Sequence, residues 1–302
     1  MVETLLEQKE SILKKLKENK EFHQFYHIVK KLDNKILFRD HLYSGVWSDY
    51  YAGLVDGVTW DLELVLSGLN KLNLEHNSGM IADICCGDGR LTRYLYQNGF
   101  QAGGVDYSTD QINKAMFLNS DLVDNESWKI ANVLDKNTLF DACKNWDILA
   151  AVTSAASINC FGTKEQLRMF FRNIKEVLGS LGCQYLLLPV FADESEEHFE
   201  KTFRGDILGN AFKSNNQDIL AWVSLLYNKD EKTLLQPSLA ANVDVNGNLF
   251  YEFCYSTDRI WTNTEVEKVA TEEGIKMKFS LPSNVVSGGA DQWPFTLMVF
   301  EF

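Results

Sequence analysis

The stretch Ile81-Ala82-Asp83-Ile84-Cys85-Cys86-Gly87-Asp88-Gly89-Arg90-Leu91 constrains this chain more than any other. An apolar run that closes on an acid leads into a Gly-x-Gly turn, and an amphipathic segment follows. In a nucleotide-binding α/β sheet the first strand hands over to the first helix in this way. The two glycines let the backbone approach a ligand closely, and the N-terminus of the following helix offers unpaired N–H groups. Such a turn serves a dinucleotide or an adenosine-based cofactor, and the residues downstream of it separate the two.

From that turn onward, apolar runs and amphipathic segments alternate. Strands are expected at 79–84, 101–106, 127–133, 146–153 and 184–190, with helices at 89–98, 109–118 and 164–181. This spacing predicts a parallel sheet with right-handed crossovers. Before it, residues 1–38 show apolar positions at helical spacing, the segment 41–51 is aromatic and irregular, and a helix is expected at 59–72. After Val190 the rhythm breaks. Residues 192–218 read as polar helix or loop, and strand-like runs follow at 219–227, 240–245 and 249–261. The last two of these meet at Asn246-Gly247, a tight-hairpin signal. A helix at 264–273 and strands at 275–281 and 295–302 close the chain.

Composition excludes some functions. The 302 residues carry a net charge of −13, so a nucleic-acid duplex would be repelled over most of the surface. No apolar run reaches the ~20 residues that span a bilayer. The six cysteines, Cys85, Cys86, Cys143, Cys160, Cys183 and Cys254, have no Cys-x-x-Cys spacing and sit mostly in apolar runs. They read as reduced, buried thiols of a cytoplasmic protein. His23 and His27 stand four apart, a spacing compatible with a metal, but neither a carboxylate nor a cysteine is set beside them. No metal is expected.

Asp106 closes the second strand, 23 residues after Asp83, where an acid can accept both hydroxyls of a ribose. The series Asp83-Ile84-Cys85-Cys86-Gly87-Asp88-Gly89-Arg90-Leu91-Thr92, then Gly104-Val105-Asp106-Tyr107-Ser108, Ala131-Asn132-Val133 and Trp146–Thr153 resembles the class I S-adenosylmethionine-dependent methyltransferases that modify small molecules. A dinucleotide turn would place a third glycine where Thr92 stands. The resemblance implies a Rossmann-like α/β fold with a seven-stranded sheet of order 3-2-1-4-5-7-6. It also implies an N-terminal helical cap over 1–75, a core over 76–190 and 262–302, and an antiparallel substrate-pocket insertion over 191–261.

The cofactor implied is S-adenosyl-L-methionine. By the same resemblance Asp83, Cys85, Gly87 and Gly89 cradle its methionine part, and Asp106 holds the ribose. Tyr107 packs on the adenine, Asn132 and Val133 sit at the adenine edge, and Thr153 faces the sulfonium. The family usually has glycine at Cys85 and an acid at Asn132. Cys85 therefore implies a backbone angle tolerable to a side chain, and Asn132 keeps a carbonyl acceptor for the adenine amino group.

The methyl acceptor is expected to be a small molecule, taken at nitrogen or oxygen in natural-product or amine tailoring. The acceptor pocket is expected from Tyr43, Trp47 and Tyr51, from Ser154 and Asn159, and from Trp222 on the insertion. His41 and Tyr50 are the candidates for a catalytic base. Aminopropyl transfer, cyclisation and a non-catalytic cofactor-binding partner are the alternatives.

Overall fold

The computed structural model describes residues 5–32, 35–39, 41–55, 57–74, 79–154, 157–243, 246–283 and 294–302. Helices α1 (Leu5–Glu18) and α2 (His23–Leu32) open the chain, followed by strand β1 (Ile36–Arg39), α3 (Val46–Val55) and α4 (Trp60–Lys71). The alternating part runs β2 (Met80–Ile84), α5 (Arg90–Gln97), β3 (Gln101–Asp106), α6 (Thr109–Leu118), β4 (Trp128–Ile130), α7 (Lys136–Cys143), β5 (Ile148–Val152), α8 (Lys164–Asn173) and β6 (Tyr185–Phe191). Then come α9 (Ser195–Thr202), β7 (Arg204–Ser214), β8 (Gln217–Asn228), β9 (Thr233–Val243) and β10 (Leu249–Arg259), and α10 (Asn263–Glu272), β11 (Lys276–Pro282) and β12 (Phe295–Glu301) complete the chain. The chain divides into two compact units, one of Met1–Asp56 with Glu197–Asp258 and the other of Gly57–Glu196 with Arg259–Phe302.

The second unit holds a seven-stranded sheet in the order β11-β12-β6-β5-β2-β3-β4. Counted from β2 this is 3-2-1-4-5-7-6, the order expected from the sequence. Strands β2 to β6 are parallel neighbours, while β12 runs antiparallel to both β6 and β11. Strand alternation sends successive side chains to opposite faces. Ala82, Ile84, Val105 and Ala151 pack with α8 and α10 residues such as Phe170 and Val269. Ile81, Ala102, Ala150 and Val152 pack with Leu64, Val65 and Leu91 of α4 and α5. Being buried on both sides is why these strands read as continuous apolar runs. Helices α8 and α10 each start in a capping box, Thr163 with Gln166 and Thr262 with Glu265.

The first unit holds a five-stranded sheet, β1-β10-β9-β8-β7, in which β1 pairs parallel with β10. One face carries Phe38, Leu239 and Phe253 against Phe22, Phe25 and Val29 of the N-terminal helices. The other carries Ile219, Ala221, Val223, Ala240 and Cys254 against Val46, Trp47 and Tyr50 of α3.

This unit corrects three expectations. Residues 204–214 form a strand rather than helix or loop. That strand lies at the sheet edge with most of its side chains in solvent, so no apolar alternation marks it. It turns into β8 through Asn215 and Asn216 at φ +49° and +62°, the positive angles of a two-residue hairpin turn that asparagine tolerates. Residues 46–51 of the stretch 41–51, expected to be irregular, belong to helix α3. It buries Val46, Trp47, Ser48 and Tyr50 and has apolar residues on most of its circumference, which blurs the helical period. Strand β9 starts at Thr233, seven residues before the run expected at 240, because Pro237 lies inside it. Of the hairpin connection between β9 and β10, residues 244 and 245 lie outside the described residues, while Gly247 has φ +81°.

Candidate functional site

The carboxyl ends of β2, β3 and β5 lie side by side in the second unit, with Asp83 paired to Gly104 and to Val152. In an open α/β sheet that edge is where ligands bind. The chain leaves β2 through Cys85 at φ +59°, Gly87 at +57° and Gly89 at +81°. A Cβ on Gly89 would clash with the Trp128 ring, so the indole packs directly against the turn. A Cβ on Gly87 would meet nothing nearer than Gln111 Oε1 at 3.9 Å. Glycine at 87 is therefore selected by its angle and by open space, and glycine at 89 also by contact.

Cys85 departs from expectation. Its φ is positive, so the turn keeps the left-handed geometry that favours glycine and the β-carbon is accommodated at a cost. The side chain packs against the core around Ile84 and Phe161, and burial pushes the thiol well above its usual range. It is a thiol, not a nucleophile, at neutral pH.

Two acids organise the turn. Asp83 is fully buried, and its Oδ2 accepts from the Thr92 N–H at 3.1 Å and the Thr92 hydroxyl at 2.8 Å. Its Oδ1 has no partner among the described residues. Burial pushes the carboxyl up to about 7, against the lowering pull of the Thr92 hydrogen bonds and the Arg90 charge. Asp106 takes the Gly87 N–H on Oδ2 at 3.0 Å and the Ser108 N–H on Oδ1 at 2.8 Å. Burial raises its pKa too, opposed by the backbone N–H groups of Ser108, Gly87 and Tyr107. Each oxygen keeps lone-pair capacity for a further donor.

The remaining cofactor candidates follow on the same edge. Tyr107, next to the buried Asp106, exposes 48% of its surface. Beyond β4, the Ala131 N–H donates to the Asp106 carbonyl at 2.9 Å, which brings Asn132 and Val133 alongside. Asn132 is exposed, and its Oδ1 accepts from the Leu134 N–H at 3.0 Å, a local turn that engages the carbonyl expected to face adenine. Val133 is buried, and its carbonyl accepts from Asn173 Nδ2. Thr153 directly follows β5 and is buried, with no hydrogen-bond partner for its Oγ1 among the described residues.

One feature of this unit escapes sequence reasoning. Arg90 forms a bidentate pair with Asp61, at 2.6 and 3.0 Å, and donates to the Val58 carbonyl at 2.7 Å. Asp61 is fully buried on α4, and the pair ties that helix to the turn. The only sequence signal is an arginine directly after the Gly-Asp-Gly turn. Ser154 and Asn159 also have structural partners. The Ser154 carbonyl accepts from the Ser157 hydroxyl at 2.6 Å, and Asn159 Oδ1 accepts from the Trp261 N–H at 3.1 Å.

In the first unit, His41 Nδ1 accepts from the Tyr43 N–H at 3.1 Å, which leaves the proton of the neutral ring on Nε2. Tyr43 meets Tyr51 edge-on at 4.9 Å. Trp47 and Tyr50 are buried in the α3 cluster, and burial raises the Tyr50 pKa, so its phenol holds its proton. Trp222 is 38% exposed and points away from the face on which its neighbours Ala221 and Val223 meet α3. Tyr251, Phe253 and Tyr255 on β10 pack against the N-terminal helices.

No family model and no curated protein matches the chain. Solved structures do. A S-adenosylmethionine-dependent methyltransferase from Clostridium acetobutylicum ATCC 824 aligns with TM-score 0.59 at 11% identity, over 84% of this chain and 98% of that one. The sugar N-methyltransferase KedS8 from Streptoalloteichus sp ATCC 53650 aligns with TM-score 0.57 at 15% identity, over 82% and 92%. CalS10, an amino pentose methyltransferase from Micromonospora echinaspora, aligns with TM-score 0.53 at 15% identity, over 86% and 99%. At these identities the likeness is one of fold.

Proposed function

We propose that this chain is a class I S-adenosylmethionine-dependent methyltransferase acting on a small molecule, with an amine nitrogen as the favoured acceptor. The observation that carries the reading is the Asp106–Gly87 hydrogen bond, which ties the acid at the end of β3 to the glycine turn, with open space at Gly87. The donor set fits the cofactor. Asp83 Oδ1 and Thr153 Oγ1 are buried polar atoms with no partner among the described residues, and a methionine moiety carries an ammonium and a sulfonium that suit oxygen acceptors.

In this reading Asp106 takes the ribose hydroxyls on its remaining lone pairs and the exposed ring of Tyr107 stacks on the adenine. Asn132 and Val133 border the adenine edge, and Asp83, Cys85, Gly87 and Gly89 surround the methionine part. When bound, the cofactor supplies an electrophilic methyl group. The protein's task is then to hold an acceptor atom in line with that methyl at near-attack distance. A neutral amine attacks with its own lone pair and needs no strong base. The sugar and amino pentose methyltransferases among the fold neighbours support a nitrogen acceptor.

Calorimetric titration tests the reading. S-adenosylmethionine is expected to bind and a nicotinamide dinucleotide is not. Asp106→Ala should weaken S-adenosylmethionine binding by ~1–3 kcal/mol through lost hydrogen bonds. Unchanged affinity in that variant, or binding of the nicotinamide dinucleotide alone, refutes it.

A further inference from the structure

Helix α6 begins differently from α8 and α10. Ser108 and Gln111 stand at its N-cap and third helical position, the spacing of a capping box, and Ser108 Oγ accepts from the Gln111 N–H at 3.3 Å. At α8 and α10 the side chain at the third position completes the box. The Thr163 N–H donates to Gln166 Oε1 at 3.2 Å, and the Thr262 N–H to Glu265 Oε2 at 3.3 Å. At α6 the Ser108 N–H goes instead to Asp106 Oδ1 at 2.8 Å. The Gln111 carboxamide is thereby released from the cap.

That carboxamide lies against the glycine turn. Gln111, Ala115 and Asn119 follow at intervals of four and share one face of α6. Ala115 packs with Cys86 and Trp128, and Asn119 Nδ2 donates to the Asp88 carbonyl at 3.1 Å. At the head of the same face, Gln111 Oε1 lies 3.9 Å from the position of a Cβ on Gly87, whose own N–H holds Asp106 Oδ2. Asn119 fastens the turn with its amide. Gln111 does not: it is 1% exposed, and its Nε2 has no hydrogen-bond partner among the described residues. A buried amide donor without an acceptor is destabilising, and such groups in folded proteins normally find one. Here the open space at Gly87 is where a ligand would bring it.

We propose that Gln111 is a specificity-determining residue of the cofactor site, which recognises the ribose diol together with Asp106. A carboxylate only accepts, so Asp106 takes the protons of the hydroxyls and leaves their oxygen lone pairs unmatched. A carboxamide also donates, and an N–H beside the acid supplies what a hydroxyl oxygen lacks. The negative charge of Asp106 disfavours the cofactor's own carboxylate as the partner of that amide. A ligand without the hydroxyl leaves buried polar groups unpaired, and a site built in this way rejects it. The inference rests on the methyltransferase reading, which makes S-adenosylmethionine the ligand at Gly87.

The test is calorimetric titration of the full chain with S-adenosylhomocysteine and with its 2′-deoxy and 3′-deoxy forms. Gln111→Leu should lower the affinity for S-adenosylhomocysteine about tenfold. For one of the two deoxy ligands, wild type and variant should agree within about twofold, because the contact that the substitution removes is already missing. Gln111→Glu, close in size but without amide hydrogens, should lower the affinity at least as far, and it carries the test if the leucine variant does not fold. Affinities within about twofold of wild type for S-adenosylhomocysteine, or an equal loss on the parent ligand and both deoxy forms, overturn the proposal. The wild-type titration separates the failures. A chain that binds S-adenosylhomocysteine with no effect at Gln111 loses this inference alone, and a chain that does not bind it loses the methyltransferase reading as well.

Discussion

Replacing Cys85 by alanine and, separately, by glycine compares two side chains across one backbone angle. At an ordinary φ, glycine lies about 0.5–1 kcal/mol below alanine because it loses more chain entropy on folding. At Cys85 the angle is +59°, where a residue with a β-carbon is destabilised by about 1–2 kcal/mol. Alanine retains that strain and glycine releases it. Both variants lose the packing of the sulfur against the core, so that contribution cancels between them. The difference leaves Cys85→Gly more stable than Cys85→Ala by about 0–1.5 kcal/mol, the reverse of the ordinary order. Urea unfolding followed by tryptophan fluorescence reads it as the separation of two midpoints at a shared slope. If Cys85→Ala proves the more stable by about 0.5–1 kcal/mol, the turn carries no strain at this position and the reasoning fails.

Two further outcomes follow from the acids of the second unit. Because burial holds the Asp83 carboxyl near 7 against 3.8 ordinarily, the folded state keeps its proton longer than the unfolded state. Its contribution is fully present below pH 3.8 and is lost as pH rises through about 7, a change on the order of 4 kcal/mol at about 1.4 kcal/mol per pH unit. Asp83→Asn should flatten the stability profile over that window, and an unaltered profile would count against the protonated acid. Asp61→Ala leaves Arg90 buried without its counter-charge and should cost about 3–5 kcal/mol in chemical denaturation, whereas Asp61→Leu combined with Arg90→Met should recover most of it. A loss below ~1 kcal/mol in the single variant would show that the pair is not a structural tie.

The legible and illegible parts of this chain differ physically. The second unit is built from local rules. Strands buried on both faces read as apolar runs, helices announce themselves at Thr163 and Thr262 through capping boxes, and the turn after β2 needs its glycines in place. Its parallel strands follow from the alternation, while the sheet order is the one implied by the resemblance to class I methyltransferases, and the fold likeness agrees. In the first unit, β7 presents most of its side chains to solvent, so its pattern is indistinguishable from a loop. Helix α3 is apolar on most sides.

By itself the sequence determined a parallel α/β sheet, the place of the glycine turn after its first strand and the acid that closes the next strand. These depend on periodicity and on residues within a few positions of one another, where backbone preference and side-chain burial act locally. Only the tertiary structure decided what lies far apart in the chain. Arg90 finds Asp61, the Trp128 ring packs on Gly89, and β1 pairs with β10. Such contacts depend on which buried groups meet, and no spacing along the chain encodes that. The left-handed angle at Cys85 belongs with them. The surrounding strand, helix and hydrogen bonds impose that angle, although the residue at that position would not choose it.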